Sequence, residues 1–268
     1  MTARRWMCAA AGVSLLLAAG AAEASPWDGP WVVTLGGRVE AVTPYEGAGH
    51  DVILPVPVLN ARRPDALERP SFPDDAATLT LLHFGRLSIG AAGRLRGSRD
   101  DTGYYAGLEK IGLGVEGGAA ASLWVTDWLR LHAEGVKGVH GHHGWIGDFA
   151  ADAVYRHGPL MLSAGPRVGF GTAKYMDTYF GVTAAEAASN PAIAHIGGTA
   201  YMPGSGRRYI GGAITGAWRW SPHWETTANL YYHRLSDLAA DSPVVRALGK
   251  PNEFSGGVGL RYSFNWGG

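Results

Sequence analysis

Three groups of residues in this chain carry side chains at spacings that could do chemistry. His140, His142 and His143 lie close together in VHGHHGW, where an imidazole pair could hold a metal ion. A zinc site wants three or four ligands fixed by structure, and the carboxylate nearest this loop is Asp148, so the loop reads more simply as a polar turn. Ser242, His233 and Asp237 or Asp241 could supply the nucleophile, base and orienting acid of acyl transfer. Such triads are assembled in space and not along the chain, and no G-x-S-x-G elbow surrounds Ser242. GLGVEG, from Gly112 to Gly117, satisfies the phosphate-cradling pattern G-x-G-x-x-G. That pattern needs a helix to follow it, and here a period-two pattern runs straight through. No residue is assigned a catalytic, metal-binding or cofactor-binding role, and the expectation is a protein without cofactor that is not an enzyme.

The elements that must carry these residues begin with the amino terminus. Arg4 and Arg5 precede an apolar run, CAAAGVSLLLAAGAA, and Ala22-Glu23-Ala24 has the small-x-small form of a cleavage site. Residues 1–24 are therefore expected to be a signal peptide, with the exported chain starting at Ser25. Cys8, the only cysteine, falls in that leader, which leaves neither a disulfide framework nor a cysteine-ligated metal site in the remainder. Lys and Arg number 23 against 23 Asp and Glu. Without Arg4, Arg5 and Glu23 the balance is 21 to 22, so the chain lacks the basic excess of a nucleic-acid binder. No later segment offers the roughly 18 consecutive apolar residues of a transmembrane helix.

Strand periodicity takes over from residue 111. In WLRLHAEG, Leu129, Leu131 and Ala133 alternate with Arg130, His132 and Glu134. The same alternation recurs in IGLGVEGGAAASLWV, WIGDFAADAVYR, LMLSAGPRVGF, YIGGAITGAWRW, WETTANLYYHR and GGVGLRYSFNW. Gly112, Gly114 and Gly118 fall on the polar parity, where long charged side chains of neighbouring strands would crowd. The 40 glycines are about twice the usual share, a poor fit to an ordinary soluble sandwich.

Strands of about ten residues, joined by connections that alternate short and long, favour a membrane-spanning barrel that turns its polar face inward. The short connections are Thr126-Asp127, His157-Gly158 and Ser221-Pro222-His223. The long ones lie at 141–144, at 172–206 and at 235–253. With the last strand running down to the periplasm, every short turn falls on the periplasmic side, and Trp128, on the polar parity, Tyr155, Trp220, Trp224, Phe264 and Trp266 gather there as an aromatic girdle. WVVTLGGRVEAV, VILPVPVLNA, a run near 78–84 and LSIGAAGRLR add four weaker strands to the seven, VILPVPVLNA being the weakest because proline deletes a ladder donor. Closed bacterial barrels are even-numbered. The expected fold is thus an all-β, antiparallel up-and-down transmembrane barrel over residues 25–268, with 10–12 strands and 12 preferred.

The loops carry a resemblance. AKYMDTYFGVTAAEAASNP, from Ala173 to Pro191, and HRLSDLAADSPVV, from His233 to Val245, are similar to segments of the MipA/OmpV family, and PYEG at Pro44–Gly47 and RGSRDD at Arg96–Asp101 match earlier stations of it. The resemblance spans nearly the whole exported chain. It implies an outer-membrane barrel of a Gram-negative bacterium that contacts lipid and acts as a scaffold between a murein hydrolase and a murein synthase; other members of the family are adhesins and antigens. It also singles out Tyr179, Phe180, Gly181, Thr183, Asp237, Asp241, Ser242 and Pro243 as loop candidates for a ligand or partner contact. From the residues themselves, Thr183 and Glu186 form a capping box that opens one short helix ending near Asn190-Pro191, and Tyr179 and Phe180 are expected to pack into the barrel mouth.

The inward parity carries Arg94, Arg96, Arg130, Arg156, Arg167, Arg219 and Arg261 against Glu116, Glu134, Asp148, Asp152 and Glu225. Opposite charges across a narrow lumen should pair and fill it. An interaction protein is therefore expected ahead of a narrow solute channel, and a channel ahead of an outer-membrane hydrolase.

Overall fold

The computed structural model describes residues 29–65, 69–70 and 72–267. The expected leader and the start at Ser25 lie outside the described residues. Eleven strands form one sheet in the order β2-β1-β11-β10-β9-β8-β7-β6-β5-β4-β3. In chain order these are β1 (Trp31–Val42), β2 (Val52–Arg62), β3 (Ala77–Phe84), β4 (Leu87–Arg96), β5 (Gly114–Trp124), β6 (Leu129–His140), β7 (Trp145–His157), β8 (Leu160–Gly171), β9 (Gly206–Arg219), β10 (Trp224–Leu235) and β11 (Asn252–Trp266). Every ladder is antiparallel, and β11 returns to pair with β1, placing Val39 opposite Val258 and Trp31 opposite Trp266.

Period two in the sequence becomes two faces of this wall. Leu131, Phe149, Leu162, Ile214, Leu230, Val258 and Leu260 are exposed on the outside, while Arg130, His132, Glu134, Asp148, Asp152 and Arg167, one residue out of step, are buried inside. A soluble sheet would reverse that arrangement. The inversion is what a lipid-facing exterior requires, and among the described residues no helix is long and apolar enough to cross a membrane.

Among the described residues the sheet has eleven strands, within the expected 10–12. All four weaker segments are strands, including the proline-bearing β2. With antiparallel steps all the way round, an odd count leaves β2 and β3 at the two ends of the sheet and pointing the same way, and no ladder joins them among the described residues. The chain must therefore climb from the short-turn end of β2 back toward the long-loop end before β3 begins. The described end of this climb, Phe72 to Ala76, lies inside the barrel. Phe72 packs 6.5 Å from Trp124, Asp74 meets Arg167 of β8, Asp75 meets Arg130 of β6, and the Ala76 amide donates to Glu134 at 2.8 Å.

Ile111 and Gly112 also depart from the expected strand. β5 starts at Gly114, and Ile111 pairs with Arg99 in a two-residue bridge and is buried in the core of the long-loop end.

Candidate functional site

The long 172–206 connection holds three helices where one was expected: α1 (Ala173–Phe180), α2 (Ala184–Ser189) and α3 (Pro191–His195). In α1 the buried residues are Tyr175, Met176, Tyr179 and Phe180, a spacing that puts them on one face. That face closes the mouth of the barrel. The Thr183–Glu186 capping box forms as its spacing requires, with the Glu186 amide on Thr183 Oγ1 at 3.2 Å and the Thr183 amide on Glu186 Oε2 at 2.8 Å. Burial raises the Glu186 carboxyl, but the Thr183 and Glu109 amides aimed at it prevail and hold it below the ordinary carboxylate value. Asn190, fully buried, caps α3 with its Oδ1 and donates through Nδ2 to the carbonyls of Tyr104 and Ala106.

The 235–253 connection contributes α4 (Asp237–Ala240) and α5 (Pro243–Leu248). Ser242 caps α5, accepting from the Val244 amide at 3.2 Å and donating to the Phe180 carbonyl at 2.6 Å. This one hydroxyl joins the two loop motifs. Pro243 is buried at the first turn of α5, while Asp237 and Asp241 at the ends of α4 are exposed. Gly181 ends α1, where an added Cβ would lie 2.4 Å from the Asp177 carbonyl oxygen.

The earlier stations meet the same cap. Tyr45 stacks on Tyr179 with ring centroids 5.9 Å apart. Glu46 pairs with Arg208 and with Arg96. Arg99 donates to the Tyr179 carbonyl at 3.2 Å, and the Gly97 amide donates to the Pro44 carbonyl at 2.7 Å. Gly47 takes φ +83° and leaves no room for a side chain between Val245 and Phe180. Four segments scattered from residue 44 to residue 245 thus interlock in one buried cluster. Burial pushes the Tyr179 phenol up to about 12, so the ring stays neutral and packs as an aromatic body.

The groups that suggested chemistry are used structurally. Ser242 is fully buried and bonds to Phe180 and Val244, whereas His233 stacks on Tyr209 at 4.0 Å, so the serine and histidine are not brought together as nucleophile and base. The polar-turn reading of the histidine loop is corrected in part. His142 turns inward, is buried and meets Glu116 Oε1 at 2.9 Å, with its ring 4.9 Å from that of Tyr175. His143 is exposed, and His140 Nδ1 lies 2.7 Å from the Leu113 carbonyl.

Below the cap, the inward charges pair into a lattice. Arg96 meets Glu116 at 2.8 Å, Arg94 meets Asp148 at 3.0 Å, and Arg130 and Arg167 share Asp152 at 3.1 and 2.8 Å. Arg208 reaches both Glu46 and Asp148. The ascending segment adds Asp74 and Asp75 to this lattice, with Arg167 Nε 2.5 Å from Asp74 and the Arg130 guanidinium 3.9 Å over the Phe72 ring. Asp74, Asp75 and Arg208 were absent from the inward charges read in the sequence. Proline and consecutive aspartates in PSFPDDA were the available signal that this stretch belongs inside.

Among proteins of curated function, none matches the chain. The profile of the family described as MltA-interacting protein MipA matches residues 35–264. Among solved structures the chain is similar to the NanC porin, at 6% identity over 87% of this chain and 100% of that one with a TM-score of 0.41. An outer membrane channel from Pseudomonas putida F1 aligns at 11% identity over 93% and 100%, also with 0.41. The outer membrane protein OmpT of Vibrio cholerae aligns at 9% over 87% and 96%, with 0.37.

Proposed function

Because the chain belongs to the family of the MltA-interacting protein MipA, we propose that it is an outer-membrane barrel that works as a non-enzymatic interaction protein, joining a murein hydrolase to a murein synthase. Its leader would deliver it across the inner membrane of a Gram-negative cell, and its outward apolar parity would seat it in lipid. The observation that carries the reading is the use made of the lumen. Motif residues that could have lined a binding site, Tyr179, Phe180, Ser242 and Pro243 among them, are buried in a cap, and the ascending segment crosses the space beneath it. Interlocking of this kind opposes free passage of solute and leaves the rims as the surfaces available for work. Murein enzymes would meet the short-turn rim, and Thr183, Asp237 and Asp241 are the motif side chains left near the surface at the other end.

Crosslinking in native envelopes followed by capture of the tagged full-length chain tests this. Recovery of a murein hydrolase and a murein synthase with the barrel is the expected result. Recovery of the barrel crosslinked to other envelope proteins, with neither enzyme present, overturns the assignment.

A further inference from the structure

Lumen-facing positions are polar on most strands, and β2 breaks that rule. Its register with β1 sets Leu54, Val56 and Val58 opposite Glu40, Arg38 and Gly36. That parity faces inward: Arg38 pairs with Glu40 at 2.8 Å, and Asn229 of β10 reaches Glu40 at 3.4 Å. Ile53, Pro55, Pro57 and Leu59 then face outward, so both faces of β2 are apolar from Ile53 to Leu59, and polarity returns on the inner parity only at Asn60 and Arg62. Among the described residues the inner face is covered only in part. Leu54 is 38% exposed, and Val56 and Val58 are half-buried. Beyond the Arg38–Glu40 pair, the ascending segment leaves this face alone, since Asp74 and Asp75 take their partners from β4, β6 and β8. Apolar surface facing lumenal water is unfavourable by about 25 cal/mol per Å².

Among the described residues the edge of β2 beside this face is unpaired. Pro55 and Pro57 lie within the β1 ladder, opposite Val39 and Gly37, yet neither has an N–H. In an antiparallel ladder alternate residues direct their peptide groups to the same neighbour, so this parity points away from β1 and toward β3. Two donors that a β2–β3 ladder would need are missing. β3 is exposed along its whole length, and its outward Leu79, Leu82 and Phe84, like Ile53 of β2, continue the lipid-facing surface to both sides of the gap. Hydrocarbon stands on one side of the seam and half-buried valines on the other.

We propose that the seam between β2 and β3 is a lateral port, through which one acyl chain of a membrane phospholipid enters the barrel and lies along Leu54, Val56 and Val58. The chain covers the inner face of β2 as bilayer covers the outer one, and the phospholipid head group stays at the membrane surface. This goes beyond the interaction role and does not depend on any envelope partner.

Cys8 is the only cysteine and lies in the expected leader, so Val56→Cys gives a single labelling site in the exported chain. The full exported chain, labelled with bimane and folded into phosphatidylcholine vesicles with brominated acyl chains, reports contact with lipid by loss of emission. Ile53→Cys serves as the lipid-facing reference and Thr227→Cys, on the inward parity of β10, as the lumenal one. Val58→Cys is read as a second inner site, and each variant is used only if it retains the heat-modifiable band of the folded barrel. The proposal expects emission at Val56 and Val58 to fall as far as at Ile53, with Thr227 unaffected by bromine and quenched by aqueous iodide. Inner sites that follow Thr227, sensitive to iodide and not to bromine, overturn it. Because no envelope protein is present in the vesicles, that outcome would leave the murein assignment standing.

Discussion

Ser242→Ala removes one oxygen from the cap and should cost far more than its size suggests. The hydroxyl is fully buried and makes two bonds, donating to the Phe180 carbonyl at 2.6 Å and accepting from the Val244 amide at 3.2 Å. Loss of a serine helix cap alone costs about 1 kcal/mol. The Phe180 carbonyl, deprived of its partner in a dry cluster, adds about 1–3 kcal/mol as an unsatisfied buried acceptor. The expected loss is thus about 2–4 kcal/mol. Thr183→Ala supplies the control, because Thr183 is also a cap but an exposed one, and it should lose about 1 kcal/mol. Urea unfolding of the barrel from lipid vesicles, with linear extrapolation and a constant slope, measures both. A Ser242→Ala loss no larger than that of Thr183→Ala would refute the reasoning that this hydroxyl locks the two motif loops together.

Leu260→Arg, on the outward parity and 49% exposed, should destabilise folding into vesicles by about 2–4 kcal/mol, while Ser263→Asn, on the inward parity and bonded to Thr34 at 2.7 Å, should be tolerated far better; equal tolerance would remove the lipid-facing assignment. Asp74→Asn combined with Asp75→Asn should lower stability by less than the roughly 3–5 kcal/mol of an isolated broken buried pair, because Arg130 and Arg167 both keep Asp152; an unchanged urea midpoint would argue against a lumenal role for the ascending segment. Glu186 has a folded carboxyl value below its unfolded one, so its capping contribution is present above the unfolded value and lost as pH falls through the folded one. Amide exchange over Thr183–Ser189, corrected for intrinsic rate, should accelerate across that acid range, and Glu186→Gln should flatten the dependence. Gly114→Trp should abolish the heat-modifiable band, since even a Cβ there would lie 2.9 Å from Arg96 Cβ and 3.5 Å from the Tyr179 hydroxyl.

The wall of the barrel was legible in the sequence because period two is a local property. Leu129 to Glu134 alternate whether or not the rest of the chain is known, and the structure puts each residue on the face that its parity requires. Connection lengths gave the hairpins for the same reason. The lumenal course of Phe72, Asp74 and Asp75 was another matter, since it depends on contacts with strands distant in sequence. Nothing local distinguishes a polar turn from a polar plug; the distinction lies in Arg130 and Arg167, far along the chain. The same limit hid the burial of His142, whose partner Glu116 belongs to another strand. Of the glycines assigned to the crowded inner face, Gly114 meets a charged side chain as expected, but Gly112 lies in a loop against the His140 ring, and at Gly118 the obstacle is the Gly135 carbonyl oxygen, 2.0 Å from an added Cβ. Backbone proximity of that kind depends on how strands are staggered, which composition does not encode.

Planar-bilayer recording of the purified, folded full-length barrel shows whether the lumen conducts, and the interaction role rests on a lumen closed by the cap and crossed by the Asp74–Asp75 segment. A barrel with a closed lumen inserts without large stable conductance steps, which is the expected result. Long-lived porin-like openings from wild-type protein would contradict it and return the barrel to the class of solute channels.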